Sequence, residues 1–223
     1  MNIAHSDKEI YIEFNENRVN VLVVENAAAL SEIINELYIQ SEGGDGDFVI
    51  AQKDELFKFS SKVSVILEPF SVSCNEKKIL TALYKEMEKE ALEYLYTETC
   101  NLNSAVVNYI DLLSSKMPYP IVFNDNMDIQ SVLKAMHTEL DDGQGSICEK
   151  IINYIKVISV LTGIRIVIFL NLKSFISEDE LKEIYKCAFY NKIYLLLIEN
   201  FLHDKIECED TLIIDKDLCF IKF

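Results

Sequence analysis

The stretch VNVLVVENAAALSEI (Val19 to Ile33) runs from an apolar strand through a short turn into a helix, the kind of junction at which α/β proteins hold phosphate groups. Such a junction works when glycines let backbone N–H groups face the anion and a lysine reaches it. The turn here is ENAAAL, without glycine or lysine, and Glu25 stands where a carboxylate would repel a phosphate. The other half of that chemistry is an apolar strand ending in an acid that holds Mg²⁺. IVIFL (Ile166 to Leu170) is such a strand, but Asn171 follows it in place of Asp. The layout is that of an NTPase and both working elements are missing, so no nucleotide and no enzymatic activity are expected. The competing reading is a diverged nucleotide-dependent ATPase or nuclease. It would use Glu25, Asn171 and Glu199, grouped at strand ends where an open α/β sheet places its site.

Other chemistries have weaker signals. The histidines are His5, His137 and His203, with no pair at metal-ligand spacing and no H-E-x-x-H. HTE (His137 to Glu139) has the H-x-E of zinc deaminases but no P-C-x-x-C after it, so a helix-end histidine fits better. FNDNMD (Phe123 to Asp128) gathers oxygen ligands: Asn124, Asp125, Asn126 and Asp128. These suit Ca²⁺, which takes carboxylates and carbonyls, or else a polar turn capping the helix from Met127. Lysines cluster modestly. Lys53, Lys58 and Lys62 share one stretch, and Lys77 and Lys78 begin a long helix. They make either a solvated face, with Asp54 and Glu55 beside them, or a stripe for a phosphate backbone.

Composition narrows the classes. With 50% hydrophobic residues, 12 Phe and 11 Tyr over 223 residues, a sizeable core is expected, while 6 Gly and 3 Pro argue against disorder and against a turn-rich β-sandwich. The net charge of −16 disfavours a nucleic-acid surface spread over the whole molecule but leaves room for a local basic patch. Six scattered cysteines without a C-x-x-C point to reduced core thiols in a cytoplasmic protein. MNIAHSDKEI has neither the basic nor the apolar region of a signal peptide, and VISVLTGIRIVIFL is too short and too polar to span a bilayer.

The elements that must position these residues follow from periodicity. EIYIEF and VNVLVV suggest an opening strand pair, and Asn26 can cap a helix whose face is Leu30, Ile33, Ile34 and Leu37. SEGGDGD is a surface loop, and FVIAQ, ELFKFSS and KVSVILEPF are further strands. Ser73 and Glu76, Ser146 and Glu149, and Ser177 and Glu180 have capping-box spacing. They predict three helices. The first is a long one over KKILTALYKEMEKEALEYLYTET, with Ile79, Leu83, Met87, Leu92 and Leu95 along a stripe. Helices are also expected at SAVVNYIDLLSS and MDIQSVLKAMHTEL, and DDGQG closes this helical stretch. KIINYIKVISVLTG, with Ile147, Ile151, Ile155 and Ile158 in line, leads to the buried strands IRIVIFLN and KIYLLLIEN. DTLIIDKDLCFIKF ends the sequence as an edge strand or hairpin. Buried strands alternating with helices predict an α/β fold with a mostly parallel sheet. The expected organisation is an α/β head over 1–72 and 146–223, interrupted by a helical leg over 73–145.

Taken together, VLVVENAAALSEIINELYIQ, PFSVSCNEKKILTALYKEME, SICEKIINYIKVISVLTGIRIVIFLNLKSFISEDEL, and IYLLLIEN with IIDKDLCFI resemble the small ring-forming CRISPR-associated protein of type II-A systems, the Csn-two family. The resemblance covers nearly the whole chain. It implies a head resembling RecA-like NTPases without the phosphate loop, a helical leg, and a homotetrameric ring. It further implies sequence-independent binding of double-stranded DNA ends inside the ring, without cutting, in spacer acquisition. The partners it implies are the two-protein integrase and the RNA-guided effector nuclease, with no membrane. It also implies Ca²⁺, with Asp125 and Asp128 on the matching acidic run. The family's further acid, inside the following helix, falls here near Leu133 or Lys134 and has no counterpart. Under this reading Lys53, Lys58, Lys62, Lys77 and Lys78 contact phosphates. A few such contacts per subunit would add up around a ring by avidity. A scaffold that binds only proteins is the remaining possibility.

Overall fold

In chain order the elements are β1 (Asn2–His5), β2 (Ile10–Glu13), β3 (Val19–Val24), α1 (Ala27–Ser41), β4 (Phe48–Gln52), β5 (Glu55–Phe57), α2 (Phe59–Lys62) and β6 (Val63–Ile66), then α3 (Lys77–Glu93), α4 (Tyr96–Ser114) and α5 (Ile129–Ala135), and finally α6 (Ile147–Leu161), β7 (Ile166–Leu170), α7 (Glu178–Tyr190), β8 (Tyr194–Glu199), β9 (Glu209–Ile214) and β10 (Phe220–Lys222). These come from a computed structural model, which describes residues 1–53, 55–142 and 145–222. Asp54 beside the lysine stretch, Gly143 and Gln144 of DDGQG, and Phe223 of the closing strand lie outside the described residues.

The chain divides into two compact units, one of Met1–Cys74 with Asp142–Phe223 and one of Asn75–Asp141. The first unit is α/β. Its six-stranded sheet has the order β10-β9-β3-β8-β7-β6, parallel except for β10, which turns back antiparallel on β9. A four-stranded antiparallel sheet, β2-β1-β4-β5, accompanies it. The expected pairing of EIYIEF with VNVLVV therefore does not form. Ile10–Glu13 pairs with Asn2–His5, a strand the polar start of the sequence concealed, and Val19–Val24 lies in the other sheet. ELFKFSS also departs from expectation, because only Glu55–Phe57 is strand and Phe59–Lys62 closes into a helical turn.

Alternation along the strands sets the packing. Leu22, Val24, Ile166, Ile168, Leu196 and Ile198 share one buried cluster with Ile33 and Leu37 of α1 and with Ile3, Ile12 and Ile50 of the antiparallel sheet. The intervening Val21, Val23, Val167, Phe169, Leu195 and Leu197 are buried too, so they fill the opposite face. A strand buried on both faces reads as a continuous apolar run, which is why IVIFL and YLLLIE were recognisable. Helices α6 and α7 pack on each other, and Ile151, Ile155 and Ile158 of α6 are wholly buried, with Ile147 partly so. Ser146 and Ser177 form the expected capping boxes, each accepting from the amide of a glutamate that bonds back to the serine amide.

In the second unit, α3 packs against α4 and α5. The long helix predicted over KKILTALYKEMEKEALEYLYTET stops at Glu93, and its last residues start α4 instead. The apolar stripe fades accordingly: Ile79 is buried, whereas Met87, Leu92 and Leu95 are exposed. The first predicted cap is displaced as well, since Glu76 and not Ser73 occupies the N-cap position of α3. Among the described residues, no helix is long and apolar enough to cross a membrane.

Candidate nucleic-acid interface

The junction after β3 is closed to anions. Asn26 has extended backbone geometry, and its Oδ1 accepts the amides of Ala28 and Ala29, both at 3.1 Å. Its Nδ2 donates to the Lys216 carbonyl at 3.0 Å. The N–H groups that would cradle a phosphate are thus satisfied within the protein, and exposed Glu25 adds a negative charge beside them. After β7, Asn171 turns through a left-handed conformation (φ 50°), and its Oδ1 accepts the Asn200 amide at 3.1 Å. Glu199 ends β8 with no exposure, its Oε1 accepting the Lys173 amide at 3.0 Å. Burial pushes its carboxyl up to about 7. Of the three residues of the enzymatic alternative, Glu25 faces solvent and Glu199 is sealed from it, so they present no common surface to a substrate.

The lysines singled out from the sequence fall in both units. In the first, Lys53 sits at the β4–β5 turn with φ 48° and is exposed. Lys58 precedes α2 and is exposed, and its carbonyl accepts the amide and hydroxyl of Ser61. Lys62 ends α2 with its ammonium 5.1 Å from the centre of the Phe57 ring, a cation–π arrangement. The Arg165 amide donates to the Lys62 carbonyl at 2.8 Å, and the Tyr194 amide to the Arg165 carbonyl, also at 2.8 Å. Lys62, Arg165 and Lys192 thus stand where three adjacent strands, β6, β7 and β8, begin. Sequence reasoning missed Arg165 and Lys192, because strand adjacency brings them beside Lys62 from about 100 and 130 positions away. Among the described residues, none of Lys53, Lys58, Lys62, Arg165 and Lys192 has a carboxylate at ion-pair distance, while Lys8, Arg18, Lys173 and Lys182 do.

In the second unit, Lys77 and Lys78 are exposed in the first turn of α3. Cations there oppose the helix dipole, by about 0.3–1 kcal/mol each. Their position thus has no evident benefit for the helix itself.

The two acids implicated in calcium binding have separate surroundings. Asp128 caps α5, its Oδ2 accepting the Ser131 amide at 3.1 Å and the Ser131 hydroxyl. Those bonds, the hydroxyl's first, hold its carboxyl below the usual range. Asp125 instead lines a cleft of about 390 Å³ with Asn103, Ser104, Asn108, Asp111 and Phe123. The donors are oxygen-rich, the chemistry a hard cation takes. Among the described residues, however, no three acids, histidines or cysteines converge within 4.8 Å around Asp125 or Asp128.

Such a convergence does occur at His5, Glu36 and Asp47. His5 Nδ1 accepts the amides of Asp7 and Lys8, both at 3.1 Å. The ring proton must therefore sit on Nε2, which donates to Glu36 at 3.0 Å. That tautomer leaves no lone pair for a metal, and the group is a hydrogen-bonded clasp between β1 and α1. All six cysteines are free thiols, as expected, but only Cys74 and Cys148 are buried.

Two solved structures align with most of the chain. One is a putative ABC transporter ATP-binding protein from Pyrococcus furiosus, 13% identical, with a TM-score of 0.40 over 91% of this chain and 88% of that one. The other is an ATP-binding cassette of an ABC transporter in its ADP conformation, 12% identical, with a TM-score of 0.41 over 87% and 74%. The family model described as CRISPR-associated protein (Cas_Csn2) matches residues 40–218, four-fifths of the sequence, and the chain belongs to that family.

Proposed function

We propose that the protein is a non-enzymatic clamp that holds double-stranded DNA, ends included, without sequence preference, and that it serves spacer acquisition in the cytoplasm. The observation that carries this reading is the adjacency of Lys62, Arg165 and Lys192 in the first unit, each just before one of three neighbouring strands, with Lys53 and Lys58 on the stretch that leads to Lys62. Among the described residues, none of the five has a carboxylate at ion-pair distance. Adjacent strands lie about 4.8 Å apart, so these cations can follow a phosphate backbone, which supplies affinity without reading bases. Lys77 and Lys78, in the second unit, are proposed to touch phosphates as well.

Self-association into a homotetrameric ring would repeat this surface around one duplex. The second unit supports it: α4 has no buried residue, and Tyr96, Leu102, Tyr109, Leu112 and Leu113 are exposed along it. Within the proposal, Ca²⁺ is taken by Asp125 with Asp111 across their shared cleft, while Asp128 remains a helix cap. The integrase and the RNA-guided effector nuclease are the proposed partners.

The test is a gel shift at low salt with linear and with closed circular duplex. Binding of the linear form, with no Mg²⁺-dependent ATP hydrolysis or DNA cleavage, is expected. Failure to bind either form would end the proposal, and Mg²⁺-dependent hydrolysis would promote the enzymatic alternative.

A further inference from the structure

The connection from β8 to β9, Asn200–Cys208, crosses from the end of one parallel strand to the start of another without a helix. A network of buried polar side chains holds it. Lys173 Nζ donates to both oxygens of Glu209, at 3.0 and 2.9 Å, and to the Asp204 carbonyl at 2.8 Å. Glu209 also accepts the Tyr185 hydroxyl at 2.6 Å and the Ile206 amide at 3.0 Å. Among the described residues, two buried atoms stand outside this network without a hydrogen-bond partner: Glu199 Oε2 and His203 Nε2. They face each other at 3.3 Å. Two bare lone pairs so close would repel, and a single proton between them removes the conflict.

We infer that Glu199 and His203 share one proton and that this proton latches the crossover. The His203 ring, so held, stacks on Phe201 with centroids 4.1 Å apart and fixes the half-exposed tip of Phe201 and Leu202. The groups facing the pair are Lys173, which follows β7, Glu209 at the start of β9, Asp204 in the crossover, and Tyr185 of α7. Burial acts oppositely on the two members. It raises the Glu199 carboxyl to about 7 and lowers the His203 imidazole below its ordinary value, so the neutral forms are favoured in both.

The signature is one of linked protons. The latched pair holds one proton. Opened between about pH 4.5 and 6.5, it still holds one, as carboxylate and imidazolium, so wild-type opening is nearly independent of pH in that window. Removing either member exposes the slope of the other. In His203→Phe, which keeps a ring against Phe201, Glu199 alone titrates. Its raised carboxyl favours the closed state in acid, and opening grows about thirtyfold from pH 5 to pH 7. In Glu199→Gln, whose amide still donates to Nε2, the lowered imidazole favours the closed state in base. Opening there grows several-fold from pH 7 down to pH 5.

Hydrogen exchange of the Phe201–Cys208 amides, corrected for intrinsic rates, measures this on the full chain. A wild-type change under about threefold, with opposite slopes in the two variants, is expected. Variants sloping the same way, or a wild type as steep as His203→Phe, would overturn the shared proton. Should a variant not fold, carbon-13 titration of the wild-type Glu199 carboxyl and His203 ring decides. The same midpoints in both resonances, one below about pH 5 and one above about pH 7, support the latch, and a different single midpoint for each group refutes it.

Discussion

The two units use apolar residues in different ways. In the first, strands β3, β7 and β8 are buried on both faces, and Lys173 and Glu209 enter the interior as partners. In the second, the helices bury only Ile79 and Tyr84, while tyrosines and leucines line the outside of α4. Polar bonds take up part of the task there. Tyr84 donates to the Thr138 carbonyl at 2.9 Å, and the Asn75 side chain exchanges two bonds with the backbone of Leu140. One unit carries its own core, and the other exposes the kind of surface a further copy would cover.

The largest expected effect tests the first half of that contrast. Lys173→Met leaves the Glu209 carboxylate buried without its cation and should lower stability by about 3–5 kcal/mol in urea unfolding. The matched change in the second unit, Tyr84→Phe, removes one hydrogen bond and should cost about 1 kcal/mol. Equal losses would erase the distinction between the units. The next prediction concerns assembly. Leu102, Tyr109 and Leu113 lie on one stripe of α4, at i, i+7 and i+11. The double variant Tyr109→Asp, Leu113→Asp should retain its helical circular dichroism but fail to form the proposed tetramer of 25.6 kDa subunits in light scattering. A tetramer that survives would place the assembly surface elsewhere. A smaller effect separates phosphate contact from folding. Replacing Lys58, Lys62 and Arg165 with Gln should lower stability by only about 1 kcal/mol, chiefly from the Lys62–Phe57 contact, and reduce the slope of log affinity against log salt by about 2–3.

The sequence disclosed what depends on neighbours and hid what depends on distance. Ser146 with Glu149 and Ser177 with Glu180 are three residues apart, and both boxes close as the pattern predicts. Ser73 with Glu76 has the same spacing, but α3 begins only at Lys77 with Glu76 at its N-cap, and Asp142 accepts the Ser73 hydroxyl at 2.5 Å and the Cys74 amide at 2.6 Å. No local pattern announces a partner nearly seventy positions away. The candidate site divides in the same way. The anion-averse turn at Glu25 and Asn26 and the asparagine after β7 were legible, since each is a substitution within a short motif. Arg165 and Lys192 join Lys62 only through strand order. Glu199 was noticed as an acid at a strand end, but its conflict with His203 requires the crossover's path.

The smallest effect bears on the closed junction itself. Asn26→Ala removes the side-chain oxygen that accepts two amides at the start of α1 and should cost about 1 kcal/mol, read in urea unfolding. It also frees those amides. If the Asn26 cap alone kept phosphate out, the variant would gain affinity for ATP and Mg²⁺, detectable by calorimetry. No gain is expected, because three obstacles remain. Glu25 still repels the anion, no lysine reaches toward it, and alanines rather than glycines line the turn, so the backbone cannot fold around a phosphate. ATP binding by the variant would show that one side chain separates this unit from a nucleotide-binding one. Its absence would show that the loss is built into the whole turn.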